Sequence, residues 1–178
     1  MYQDFKSDKY SKFLSFLLSD DELSIKGYHR IIDLSKKSKN DFLLKIKKHY
    51  QVEQVNKSNV NQEKIIYFLI GNSWYKASAL NSTSLLPVEY FTDFILKDEL
   101  NIKQIRTSKY IKYIDSSVSV NDFEERVTKN NNSVGVVLPA LTTEELMKVS
   151  DDNKTLPPKS TWIEPKLRSA LLIYKYDE

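Results

Sequence analysis

The chain has 178 residues, which is enough for one domain with a hydrophobic core, and its apolar and charged fractions are ordinary for a globular protein. The net charge is only +3, with acids and bases interspersed, which disfavours nucleic acid as a partner because that partner needs a concentrated basic face. No cysteine is present, which excludes disulfides, thiolate metal sites and cysteine nucleophiles and is compatible with a reducing, cytoplasmic location. No apolar run reaches about 18 residues, so we expect no membrane-spanning helix and no membrane partner.

The first half of the chain predicts strands around one helix. Apolar runs predict strands over 12–18 and 23–32, separated by a turn. Asn40 is predicted to cap a helix that reaches Tyr50, and a short strand follows over 52–55. The runs 64–70 and 74–80 flank Gly71-Asn72-Ser73, which is typical of a hairpin because glycine and asparagine tolerate positive φ.

The second half alternates helices and strands. Pro87, Ser119 and the pair Thr142 and Glu145 are start signals for three helices. Strands are predicted over 110–114, 134–138 and 170–176. The fold class expected from this order is α+β, in a single domain over 1–178, with a mixed, mainly antiparallel sheet and three to four helices.

The loop over 157–168 is the strongest candidate for a functional segment. Its three prolines fix φ and remove backbone donors, which excludes an ordinary helix or a central strand. This stiff frame carries the cations Lys159, Lys166 and Arg168 and the hydroxyls of Ser160 and Thr161, a combination that predicts a grip for phosphate or another anion. The alternative is a structural crossover whose lysines are solvated and whose hydroxyls bond the backbone.

Two further cations are candidates for the same anion site. Arg30 lies in a predicted strand, where a guanidinium is rigidly placed for phosphate or carboxylate. Arg106, in the stretch before the next strand, could lend a second cation, although such stretches are often simple connections. His29 could act as a general acid or base, because the ordinary pKa of histidine lies near neutrality. A lone histidine in a strand, however, is more often a half-buried residue without a catalytic role.

Several familiar sites have no counterpart in the sequence. It contains no P-loop, dinucleotide-binding glycine motif, G-x-S-x-G elbow or metalloprotease helix motif. His29 and His49 have no zinc-ligand spacing, so we predict no metal. No particular cofactor and no general base is identified by the residues.

The end of the chain resembles a widespread family catalogued as domain of unknown function ten-fifteen. The resemblance is carried by LPPKSTWIEPKLRSALLI over 156–173, with supporting stretches over 14–34, 85–102 and 106–113. Family members typically end in MPPKSTWFEPKLRSGL. The six residues of the predicted anion site match this family's pattern: Arg30, Arg106, Lys159, Ser160, Thr161 and Lys166.

The departures from the family pattern concern length and four places in the sequence, one of which is Asp115-Ser116 where the family has Gly-Gly. A full member is roughly twice this long, and its first half carries an Asp-Gly-His-His-Arg motif that is absent here. The resemblance therefore implies that this chain is the C-terminal half of a longer protein, as a fragment or the product of a split gene, with the missing half on a separate chain in the second case. Asn101, His29 and Ala170 stand where the family has glycine, asparagine and glycine.

The missing histidine motif is similar to one in ParB/sulfiredoxin-like proteins, some of which bind nucleotides and some of which phosphorylate free serine. By that analogy the resemblance implies a domain that binds a phosphate or nucleotide, with a phosphorylated small molecule as partner, within a small-molecule phosphotransferase-like protein. The alternative is a non-catalytic interaction or scaffolding domain in which the proline loop serves packing.

Overall fold

The computed structural model describes residues 14–17, 19–35, 37–60, 65–81, 83–166 and 173. The chain divides into two compact units, one formed by 1–24 with 163–178 and the other by 25–162. In the smaller unit the described residues include a 3₁₀ turn, Asp20–Glu22. Strands β1 (Ser24–Lys26) and β8 (Trp162–Glu164) pair as a separate two-stranded sheet.

The larger unit is built on a six-stranded antiparallel sheet with the order β3-β5-β4-β7-β2-β6. Its strands are β2 (Tyr28–Asp33), β3 (Tyr50–Val55), β4 (Ile66–Ile70), β5 (Ser73–Ala79), β6 (Ile111–Asp115) and β7 (Ser133–Val137). The helices are α1 (Lys39–Lys47), α2 (Pro87–Tyr90), α3 (Val120–Thr128) and α4 (Thr143–Asp151). The predicted α+β class with a mainly antiparallel sheet is confirmed.

Both faces of the sheet are buried against helices. One face carries Ile32 and Phe68, which pack with residues of α1, of α2 and of the helix that continues α2. The other face carries Ile31 and Leu69, which pack with Phe123 of α3. Because successive strand side chains point to opposite faces, β2 sends Tyr28 and Arg30 to the first face and His29 to the second.

Most element boundaries agree with the sequence to within a few residues. Gly71, at φ 66°, makes the β4–β5 turn that the hairpin signal predicted. Ser119 caps α3 through a hydrogen bond from the Asp122 amide, and Thr142 and Glu145 form the predicted capping box of α4. The cap of α1 is Ser38 rather than Asn40, because it is the Ser38 side chain that accepts from the Asp41 amide.

The helix predicted to begin at Pro87 has a different character over most of its length. Only Pro87–Tyr90 is α-helical, and Phe91–Glu99 continues as a π-helix. Its end is closed by Asn101 at φ 58°, a left-handed residue that asparagine tolerates better than most. Wide π turns are frequent at functional sites, and this one carries a buried threonine toward β2.

Two predicted strands are not matched in the described residues. The described part of the first, 14–17, has no regular structure. The last, 170–176, lies outside the described residues apart from residue 173.

Gly135, in the centre of β7, gives a first testable prediction. A Cβ at this position would lie 2.7 Å from Phe123 Cε1 and 2.9 Å from Val127 Cγ2, so Gly135→Ala must displace the buried side chains of α3 or the helix itself. We expect it to lower the free energy of unfolding by about 1–2 kcal/mol, as overpacking does. Gly27→Ala is the control, because its Cβ would meet nothing closer than 3.5 Å. Urea titration checks both, and equal stability of the two variants would contradict the packing argument.

Candidate functional site

Arg30 is the most unusual residue in the described part of the chain. It lies in β2, on the face of the sheet that also carries Ile32 and Phe68, and its side chain has no exposed surface. Its Nη1 donates to Thr92 Oγ1 of the π-helix at 3.2 Å. The guanidinium carbon lies 5.4 Å from the Phe91 ring centre and 5.8 Å from that of Tyr113, so two aromatic rings complete its surroundings.

The charge of Arg30 is poorly compensated. Its Nε and Nη2 have no hydrogen-bond partner among the described residues. Burial lowers the pKa of Arg30 to about 10, against an opposing effect of Tyr113, so the group is still a cation at neutral pH. A buried, incompletely paired charge is unfavourable for folding. The charge of Arg30 is thus not explained by stability, which makes the residue a candidate for a functional role.

A cavity with a volume of about 560 Å³ lies next to Thr92, and we call it the Arg106 cavity. It is lined by residues of α2 and the π-helix, of the segment 103–107 and of 155–158 at the start of the proline loop. Thr92 and Arg106 are among its lining residues. Arg30 is not, and its hydrogen bond to Thr92 is its link to the lining.

Tyr113 of β6 links Arg30 to Arg106. Its hydroxyl donates to the Ile105 carbonyl at 3.1 Å, which holds the 3₁₀ turn Ile105–Thr107 that carries Arg106. Its ring faces the Arg30 guanidinium and makes an edge contact with Tyr28 at 6.4 Å. Tyr113 thus contacts both the buried Arg30 and the turn that carries the exposed Arg106, and it fixes their relative positions.

The proline loop places Lys159 on the same face of β2. Lys159 has a left-handed backbone, with φ 57°, and its Nζ lies 5.2 Å from the Tyr28 ring centre. Trp162 packs against the same ring at 5.7 Å. Ser160 is buried and its hydroxyl donates to the Pro157 carbonyl at 2.6 Å, so in this structure that proton supports the loop's shape.

The six predicted residues are thus in different situations. Arg30, Arg106 and Lys159 are connected through Thr92, Tyr113 and Tyr28 on one side of the sheet. Thr161 is half-buried beside Ser160, and Lys166 is exposed in the smaller unit. Thr92, Tyr113 and Tyr28 are not among the residues that the sequence predicts for this site. A threonine on the otherwise apolar stripe of the 87–100 helix was the one available signal for Thr92.

Within the described ranges, no group of three histidine, cysteine, aspartate or glutamate residues could hold a metal ion. Nor does any helix there have the length and apolar character needed to cross a membrane.

Comparison with known families decides where the chain belongs. The sequence model of Protein of unknown function (DUF1015) matches residues 2–133. The chain belongs to this family. The match contains Arg30, Thr92, Arg106 and Tyr113 and ends before the proline loop, so it does not bear on the terminal motif or on a C-terminal position within longer members.

Solved structures similar to this DUF1015 chain show the same fold at low identity. A free serine kinase in complex with AMP is 16% identical, with a TM-score of 0.52 over 80% of this chain and 54% of its own. A conserved hypothetical protein from Pyrococcus furiosus is also 16% identical, with a TM-score of 0.52 over 81% of this chain and 57% of its own. SbnI from Staphylococcus aureus is 10% identical, with a TM-score of 0.50 over 83% and 52%. The DUF1015 chain therefore spans about half the length of these proteins, and no curated protein matches it.

Proposed function

We propose that this chain binds a nucleotide phosphate in the Arg106 cavity, as part of a small-molecule phosphotransferase-like protein. The observation that carries the proposal is Arg30, a buried cation whose nearest polar contact, Thr92, lines that cavity. Because Thr92 Oγ1 accepts from Arg30, its own hydroxyl proton is left to donate. A hydroxyl donor backed by a cation in a low-dielectric setting favours an anion.

The other charged residues around the Arg106 cavity also favour an anionic ligand. Asp93 is paired with Lys97 at 2.6 Å, and the Glu89 carboxylate accepts from the Leu86 amide at 2.9 Å, so both acids are engaged in the protein. Arg106 and Lys103 have no ion pair among the described residues. Two cations are therefore available to a ligand, and a guanidinium can bind phosphate oxygens in pairs.

The likeness to a free serine kinase solved with AMP and with ADP adds support at the level of fold. Since this chain spans about half of such proteins, the proposal assigns it phosphate binding and leaves the general base to the part that the chain does not contain. We accordingly expect binding of ADP without turnover by this chain alone.

Calorimetry with ADP tests the proposal. Arg106→Gln and Lys103→Gln should each weaken ADP binding by about tenfold, the loss of one charge-assisted hydrogen bond, because both residues line the cavity. Lys112→Gln is the matched control, because Lys112 is exposed on β6 and lines neither this cavity nor the proline loop. Undetectable ADP binding by the wild type, or affinities that do not separate the two variants from the control, would favour the interaction or scaffolding alternative.

A further inference from the structure

A second cavity adjoins the Arg106 cavity, and the proposed function does not use it. It has a volume of about 460 Å³, and we call it the Ser108 cavity. It lies between the end of β2, the end of the π-helix and the residues that lead into β6. Lys103, Gln104 and Thr107 line both cavities, so the segment 103–107 is the wall between them.

The charge around the Ser108 cavity is positive. Among the described residues that line it are three lysines, Lys37, Lys103 and Lys109, and one carboxylate, Asp33. The carboxylate oxygens accept hydrogen bonds from the Ser35 amide at 2.8 Å and from Asn130 Nδ2 at 3.3 Å. The lysines outnumber the carboxylate, so this lining has a net positive charge.

The three lysines differ in the contacts that their ammonium groups make within the protein. Lys37 Nζ donates one of its three protons to the Leu100 carbonyl at 3.1 Å. Lys109 Nζ lies 5.5 Å from the Tyr110 ring centre. Lys103 is exposed and has no ion pair among the described residues, so its ammonium group is available to a ligand in either cavity.

The rest of the lining is partly apolar and includes several hydroxyl groups, of which that of Ser108 is free to donate. Leu34 and Leu100 lie at the buried side of the cavity, with 3% and 7% of their surface exposed. Ser108 Oγ accepts from the Tyr110 amide at 3.3 Å, which leaves the hydroxyl proton of Ser108 to donate. An apolar wall with a few convergent polar groups is the usual composition of a small-molecule site.

We propose that the Ser108 cavity binds a small organic carboxylate with an apolar body, next to the nucleotide and at the same time. Arg106 lines the neighbouring cavity, whereas the cations among the described residues of the Ser108 cavity are lysines. Because a guanidinium binds phosphate oxygens in pairs, we assign the phosphate to the Arg106 cavity and the carboxylate to the lysines of the Ser108 cavity. The inference rests on the proposed function only for the identity of the neighbouring ligand. The two ligands would lie on either side of the segment 103–107, so the inference concerns simultaneous binding and assigns no reaction between them.

Nuclear magnetic resonance titration of the labelled chain tests the inference, with phenylacetate as the probe. Phenylacetate should shift the amide signals of Leu34, Ile102 and Ser108, and ADP should shift those of Thr92, Arg106 and Leu156. Phenylacetamide has the same ring and no charge, and it should bind about tenfold more weakly. Saturation with ADP should leave the phenylacetate shifts in place, because the two ligands occupy different cavities.

Variants separate the two cavities. Lys109→Gln should weaken phenylacetate about fivefold and leave ADP unchanged, because Lys109 lines only the Ser108 cavity. Lys103→Gln should weaken both ligands, and Lys112→Gln neither. Equal affinity for phenylacetate and phenylacetamide, displacement of phenylacetate by ADP, or tighter binding of phenyl phosphate than of phenylacetate would overturn the inference. ADP binding without any phenylacetate shift would overturn the inference and leave the proposed function standing. Phenylacetate shifts without ADP binding would support the Ser108 cavity as a carboxylate site and overturn the proposed function.

Discussion

Replacing Arg30 by methionine should make the protein more stable and less able to bind ADP. The substitution removes a buried cation with two unpaired nitrogens and leaves a flexible apolar side chain between Phe91 and Tyr113. We expect the free energy of unfolding to rise by about 1–2 kcal/mol, since apolar replacement of buried charge is often stabilising. ADP affinity should fall by about thirtyfold, because the positive field behind Thr92 is lost.

Two further variants separate charge from packing at this position. Arg30→Ala removes the same charge but leaves a void, so it should destabilise the protein while binding ADP as poorly as Arg30→Met. Thr92→Val retains the Arg30 charge and removes the hydroxyl between it and the cavity, so it should weaken ADP binding without the gain in stability. A marked loss of stability in Arg30→Met with unchanged ADP affinity would assign Arg30 a purely structural role.

The protein should lose stability in mild acid through His29. This residue is 4% exposed, lies on the face of β2 opposite Arg30, and packs against Phe123 at 5.5 Å between ring centres. Burial lowers the pKa of His29 from 6.5 to about 4, against a smaller opposing effect of Asp115. The unfolded chain therefore binds more protons than the folded one between these two pH values, and stability falls as pH falls through that window.

The full contribution of His29 is present above pH 6.5 and is lost by about pH 4, on the order of 3 kcal/mol in total. Urea unfolding at a series of pH values measures it. His29→Leu is the matched variant, because it retains an apolar contact with Phe123 and has no proton to gain. The difference in stability between wild type and variant should change across the window. A difference that is constant from pH 7 to pH 4 would show that His29 does not titrate as described.

The fold was largely predictable because its determinants are local. The β4–β5 hairpin depends on Gly71 and its neighbours, and α4 depends on a capping pair three residues apart. These are short-range signals that a single sequence carries. The π character of 91–99 was not predictable in the same way, because the apolar stripe of a helix does not record the width of its turns.

The candidate site was predictable in its cations and not in its connections. Arg30, Arg106 and Lys159 could be selected as residue types in stiff settings. Their link through Tyr113 could not, because it depends on the pairing of β2 with β6, which places Tyr113 opposite Arg30. The burial of Arg30 could not be predicted from the sequence either. It depends on the helix that packs on this face of the sheet, and the local sequence of β2 does not show that packing.

The residues of this site come from distant positions in the chain, so the site forms late in folding. Arg30 and Thr92 are 62 residues apart, and the loop at 155–161 reaches back to Tyr28. During synthesis the sheet strands emerge first and the loop last, so the binding-competent state is the final one to form. Residues 155–161 precede β8 and are held by side-chain contacts of Lys159 and Ser160, so local opening of this part requires less free energy than unfolding of the six-stranded sheet. A protease cut there would silence the site while the melting temperature of the domain hardly changed.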